Sequence, residues 1–467
     1  MVAPLRQCDA LPEIVASRSS RTCCSLLAGL FFVIGLGLGS PPAQAIPDLG
    51  RDSAVICDLT LLDHPFQTAF GSYPSMAQSL GASSCFYQWS HRSLIRLTPD
   101  QWETFWQRFR QYFVLSLFDA IATSVPLANT WLHEEYHRAV MAVRGIDSYN
   151  EVYELDLFAE VIQVSGVKDE QLIDLKLNHN QDLVRLAAAG IEGTLELNYD
   201  LQKKQFFDGI TTYNNFLYIY NYIGVVSYVG SGTSDLSDRL KDERTDQDDP
   251  EERDFVGHDF TSWVYDLHRP NEPYQFRGTH PSGEGVDRYR GKRDLTDEEE
   301  KFLNLQGKLI WLNLVDPFWL NLSSFRWSDT TRWNFKLRHF LTSHGYTIDA
   351  VVLSRSPQWR QIVTLRGYRN AYRWYPGLEY ELIRLPLTSK FSLSPRLAYW
   401  QQPRDQRFKT HSIAEGGMGS VTLHYEASEN WESFLEVGGK TAGWLASNPY
   451  TDSVVETRTG VTVVFQW

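Results

Sequence analysis

Apolar positions follow two different periods along this chain. From about residue 330 to the end they alternate with polar ones in short runs broken by turn residues, a period of two that predicts strands. Eight such runs lie near 333–341, 345–353, 360–369, 375–384, 388–400, 413–426, 432–445 and 456–467. In the last, TRTGVTVVFQW, Val461, Val463, Phe465 and Trp467 share one face. Gly460, Thr462 and Gln466 share the other, and Val464 breaks the pattern. Between 101 and about 315 the pattern is mainly helical. QWETFWQRFRQYFVLSLFDAIATSVP is nearly membrane-like, interrupted by Asp119 and Pro126. A helix is expected from near Pro126, where proline suits a first turn, to the basic end and glycine of Arg144-Gly145. EVYELDLFAEVIQV, 151–164, predicts a strand or hairpin. A long helix follows from Asp182 to about Phe207, and a third apolar segment occupies 216–230. Residues 235–254 are dense in charge and read as a solvated acidic loop. Thr296 and Glu299 have the spacing of a capping box that opens a further helix.

The first residues change the reading of the cysteines. Arg18 and Arg21 precede an apolar run that ends in SPPAQA, so residues 1–45 read as a signal peptide cleaved before Ile46. Cys57 and Cys85 would then remain in an oxidising compartment, where an even pair is expected to form one disulfide. Residues 46–100 look loop-rich, stapled by that bridge. The formal charge of -13 and the lack of a basic block argue against a nucleic-acid partner. No G-x-S-x-G elbow, phosphate-cradling glycine loop or C-x-x-C pair occurs in the expected mature chain.

WLHEEYHRAVM, residues 131–141, is the stretch that suggests chemistry. On a helix His133 and His137, four apart, share a face and can aim imidazole nitrogens at one cation. Glu134, turned about 100° from His133, can reach a water on the cation's open side. The other reading is an amphipathic helix with a Glu134–Arg138 surface pair. Farther on, Glu192 and Glu196 share a helical face beside Gly190 and Gly193. Those glycines would cost about 1 kcal/mol each in mid-helix, a cost that close packing against the histidine helix would explain. A second polar cluster carries His258, Asp259, Asp266, His268, His280, Glu284 and Asp287 amid glycine and proline. It matches no ligand spacing and is expected to be a long surface loop, with His258 or His280 in reserve as a third ligand.

Two resemblances follow from these residues. HEEYH resembles the zincin metallopeptidases, and in the gluzincin branch a glutamate on a later helix completes the site. That resemblance implies Zn2+ held by His133, His137 and Glu192, with Glu196 orienting a ligand and Glu134 as general base. The alternating C-terminal strands ending in Trp467 are similar to bacterial outer-membrane β-barrels, whose terminal strand is read by the assembly machinery. Together they imply an α+β chain. Its parts would be a helical metal-binding domain over 101–329 and an antiparallel eight-stranded barrel over 330–467, seated in outer-membrane lipid. The substrate would be a peptide or lipid-linked amide or ester. Two other readings stand: a non-catalytic barrel scaffold that binds lipid or a partner, and an inner-membrane enzyme with 109–129 and 216–230 as spans.

Overall fold

The computed structural model describes residues 54–67, 73–96, 105–124, 128–154, 162–209, 214–243 and 249–466. The expected signal segment and Trp467 lie outside them. The chain is α+β, and the described residues form one compact unit. Helices and sheet therefore share a single core, in which Tyr136 and Leu186 of the helical part join Phe340 and Trp444 of the strand-rich part. The boundary expected at 329/330 does not separate two cores.

The alternating segments fold as predicted: β5 (Arg332–Thr342), β6 (Gly345–Arg355), β7 (Arg360–Arg369), β8 (Trp374–Leu382), β10 (Phe391–Pro403), β11 (Ile413–Ser428), β12 (Trp431–Lys440) and β13 (Val454–Phe465). Two short strands, β4 (Phe325–Arg326) and β9 (Leu385–Pro386), join them. The segment expected to be loop-rich supplies one more, β1 (Val55–His64), which pairs antiparallel with β13 from Val55↔Phe465 to His64↔Thr457. Asp58 and Asp63 hid this strand in the sequence by interrupting its apolar run. Both are used inside: Thr462 donates to Asp58 at 2.7 Å and Arg458 to Asp63 at 3.1 Å. The disulfide Cys57–Cys85 ties β1 to α1 (Met76–Arg96). On a chain-entropy estimate, closing a loop of 28 residues contributes about 3.5 kcal/mol.

The resulting antiparallel sheet has 11 strands in the order β1-β13-β12-β11-β10-β8-β7-β6-β5-β4, with β9 on β10. Among the described residues no ladder joins β1 to β4 or β5, so the eight-stranded closed barrel is replaced by a sheet with two edges. One helix, α5 (Asn180–Asp208), about 43 Å long, runs along its inner face and is buried on nearly all sides. Lys204 lies 3.2 Å from Asp58 on β1, Glu196 pairs with Arg338 on β5, and Asp208 lies 3.1 Å from Arg360 on β7. A single helix can touch both ends of the ladder only if the sheet curls around it.

The alternation sorts the two faces of the sheet in an unusual sense. Charges point inward and pair: Arg396 with Glu379 at 2.7 Å, and Arg366 with Asp349 at 2.9 Å. Apolar side chains point outward and lie opposite one another across the ladder, as Leu397↔Tyr380, Leu423↔Leu435 and Val421↔Val437. All six of these are exposed.

The helical part closes the circuit between the two edges. α1 lies on β1. α2 (Phe105–Ser124) packs on α1 and on α6 (Asn215–Ser231). α6 meets the 3-10 turns Ile310–Leu314 and Pro317–Leu320, and the first of these lies on β5. Unpaired edge groups need partners, and one amide side chain serves at each edge. Gln88 of α1 accepts from Ile56 N (3.3 Å) and donates to Ile56 O (3.0 Å) on β1. Asn313 accepts from His339 N (3.1 Å) and donates to His339 O (3.4 Å) on β5. Gly81 lets α1 come this near, since a Cβ there would overlap Asp58 O.

Other expectations held or failed for definite reasons. The histidine helix is α3 (Ala128–Val143), ended by Gly145 at φ +67. The capping box opens α9 (Asp297–Leu309). Residues 155–161 lie outside the described set. Around them, β2 (Tyr149–Asn150) and β3 (Val164–Ser165) form a small ladder, but Glu151–Glu154 is a 3-10 turn, so within the predicted segment 151–164 only Val164 is described as strand. The acidic loop is corrected: Asp235–Glu243 is a helix, α7, and Arg253 and Asp254 are buried. Among the described residues no helix is long and apolar enough to cross a membrane.

Replacing Gln88 with leucine should strand the Ile56 N–H and C=O. At about 1–3 kcal/mol for each buried group left unsatisfied, the expected loss for the two is about 2–6 kcal/mol. It would be read as a lowered urea midpoint, and an unchanged midpoint would refute the capping role.

Candidate metal centre

α3 presents the motif because its rotation is fixed by a buried polar cluster on its opposite side. Glu135 accepts from Arg138 at 2.7 Å, from Asn150 at 2.8 Å and from the Tyr153 hydroxyl at 3.0 Å. Arg138 also donates to Ser148 O at 2.9 Å. Arg138 is therefore buried and paired with Glu135, correcting both the Glu134–Arg138 surface pair and the solvent-facing arginine. The cost of burying this ion pair is offset because each charge also has neutral hydrogen-bond partners.

With that face anchored, His133 and His137 turn toward α5. Gly190 lies against them: a Cβ built there would overlap Nε2 of both rings. One turn on, a Cβ at Gly193 would come within 2.9 Å of the Tyr136 ring. The two glycines thus serve the close helix approach expected from their positions. His137 Nδ1 lies 2.6 Å from Leu186 O on α5. A carbonyl accepts only, so Nδ1 carries a proton, and in the neutral ring Nε2 would present its lone pair, the tautomer a metal-binding imidazole requires.

Asp259 completes the group. Its Oδ2 lies 3.3 Å from His133 Nε2 and 3.4 Å from His137 Nε2. One ligand atom from each of the three residues lies within 4.8 Å of the others, so the group could hold a metal ion. Asp259 opens α8 (Asp259–His268), whose N-cap is His258. Its oxygen is buried without a geometrically sound hydrogen bond, as fits a group that serves as a ligand. The His133 side chain is 17% exposed, whereas those of His137 and Asp259 are 1% and 5%, so the centre opens to solvent past His133.

The electrostatics are those of a site built for charge. Burial lowers the His133 pKa. For His137 burial acts the same way, but the Asp259 carboxylate, with Glu134 nearby, overcomes it and raises the value to about 9. Burial would raise Asp259, yet the two imidazoles hold it far below the ordinary carboxylate range. Tyr228 of α6, its ring 6.0 Å from His133, and Phe255, 5.1 Å from His137, wall the site.

The remaining expected ligands are placed elsewhere. Glu192 points away from the histidines and accepts from Arg185 at 3.0 Å and from Ser447 N at 2.7 Å; burial raises its pKa against the Arg185 charge. Glu196 pairs with Arg338 and orients no ligand. His258 Nε2 lies 2.8 Å from Ser231 Oγ, and His280 Nδ1 lies 3.0 Å from Ser282 Oγ. The second polar cluster is a surface loop only in its middle: most of residues 269–285 are exposed turns, whereas 259–268 forms a helix. α8 is buried along its length, and Asp266 bridges Lys176 (2.9 Å) and Arg277 (2.6 Å). Ion pairs supply the order that its sparse apolar content does not. The signal for Asp259 was present in GHDFTSWVYDLH, where Phe260, Trp263, Val264 and Leu267 fall at i, i+3, i+4 and i+7.

No protein-family model, curated protein or solved structure matches the chain.

Asp259→Ala should abolish metal retention after extensive dialysis, while Glu192→Gln should retain it as wild type does, both by elemental analysis. Gly190→Ala, which alters no ligand, should weaken metal affinity by about 10–100-fold, as displaced ligand supports do.

Proposed function

We propose that the chain is an outer-membrane, zinc-dependent hydrolase, of metallopeptidase type, acting on an amide or ester. The reading rests on one observation: His133, His137 and Asp259 bring one ligand atom each within 4.8 Å of the others beside Glu134, and of the three only the His133 side chain is appreciably exposed. The donor set, two imidazoles and a carboxylate, is one that zinc favours. The 3.3 and 3.4 Å donor separations match the edge, about 3.4 Å, of a tetrahedron with bonds of about 2.0–2.1 Å. Zinc in such a setting polarises a carbonyl and acidifies a water at its open position.

The protein's own groups do the rest. Glu134 sits on α3 between the two histidines, near enough to His137 to stabilise its cationic form. It is 8% exposed, a desolvated carboxylate suited to take a proton from a water and return it to a leaving group. Leu186 O keeps His137 in one tautomer, and Gly190 leaves room for both rings. In the zincin resemblance an edge strand precedes the motif helix. Here α2 precedes it and the β2–β3 ladder follows, an arrangement that suits a lipid-linked bond as well as an extended peptide.

Membrane seating is supported by the contiguous outward apolar face of β8 to β12, beyond what a soluble monomer carries singly. The C-terminal strand would be what the barrel-assembly machinery reads. A scaffold without catalysis is the second reading, favoured if dialysed wild-type protein holds no zinc.

Glu134→Gln should retain zinc and lose hydrolysis of a mixed peptide pool and of an acyl ester by about 10²–10⁴-fold. Full activity in that variant would refute the assigned role.

A further inference from the structure

α2 is amphipathic in the inverted sense. Phe109, Phe113, Leu117 and Ile121, spaced by four, form one stripe on a helix, and each is more than half or about half exposed, at 53%, 57%, 50% and 51%. Two of its polar side chains face the protein. Gln111 and Asp119 are buried, and Asp119 lies 2.5 Å from His91 of α1, which lies 2.7 Å from Asn214. A surface helix in water carries these residues the other way round.

The same inversion marks the sheet, where Arg396 and Glu379 pair inside and Leu397 faces out. α2 also stands in the circuit of elements that joins the two sheet edges, and its neighbours there continue the exposed apolar surface with Ile223 on α6 and Trp311 in the 3-10 turn. Hydrocarbon tolerates helices and paired strands but no bare sheet edge. Gln88 and Asn313 occupy backbone groups at the two edges, where the helical elements meet the sheet. Arg110 is exposed near the start of α2, where a long cation reaches a headgroup region.

We infer that the α2 stripe contacts lipid hydrocarbon, so that helices complete the membrane-facing circumference the open sheet begins. This rests on the membrane seating proposed above. The occupant is acyl chain because the inverted stripe continues the outward apolar surface of the sheet.

Nitroxide labels at single cysteines introduced by Phe113→Cys, Leu117→Cys, Leu397→Cys and Asp235→Cys would test it. They would be placed one at a time in the full chain, reconstituted in phosphatidylcholine vesicles. All four positions are exposed, so folding is not at stake. Collision with oxygen relative to a water-soluble nickel chelate should be severalfold higher at 113, 117 and 397 than at 235. Oxygen preference at 397 with nickel preference at 113 and 117 would overturn the inference and leave the sheet's seating intact. Nickel preference at all four would overturn both. Shielding of 113 and 117 from both reagents would show a protein partner on that face and also overturn it.

Discussion

The approach of α3 to α5 at Gly190 is the constraint on which the centre depends. Without a side chain at 190, two imidazoles one turn apart can lie against the neighbouring backbone and still meet a third donor. Leu186 O then sets the tautomer of His137, and α8, packed on α5, brings Asp259 to within 3.4 Å. α5 is itself held from outside by the sheet, through Glu196–Arg338, Asp208–Arg360 and the Arg185 contacts with the 445–448 loop. Position at the centre is thus inherited from the sheet by way of one helix.

The buried charges follow from that arrangement. A helix enclosed by a sheet whose inner face is ionic cannot be uniformly apolar. α5 instead carries Arg185, Glu192, Glu196 and Lys204, each matched by a partner. Glu192 and Glu196 share a face, as a metal-ligating pair would, but their duty is to hold α5 in the sheet and its loop. Truncating one partner of such a pair leaves the other as an isolated buried charge, a larger cost than the pair's own net worth.

Much of this was legible in the sequence. The eight long strands announced themselves through period-two alternation, because one face meets charge and the other does not. HEEYH and the Gly190–Gly193 pair were readable because spacing on a helix fixes direction. Asp259 was missed because glycine and proline dominate its surroundings, although α8 itself carries a helical repeat. β1 was missed because Asp58 and Asp63 are inward-facing charges, which break the usual pattern of apolar cores. Arg138 was misplaced because its partner is Glu135, three residues away, and the pair is buried. The misses at β1 and Arg138 reflect the same physics: an ionic interior inverts the clue that burial normally provides.

The pairing of the first strand with the last has a consequence for how the centre comes into being. β1 finds its partner about 400 residues downstream, and the loop that grips Arg185 and Glu192 lies more than 250 residues beyond them. A chain still being synthesised therefore holds the histidine helix without the scaffold that aligns it. The three donors can be aligned only with the final hairpin in place, a built-in latency that ties the centre to the last pair of strands.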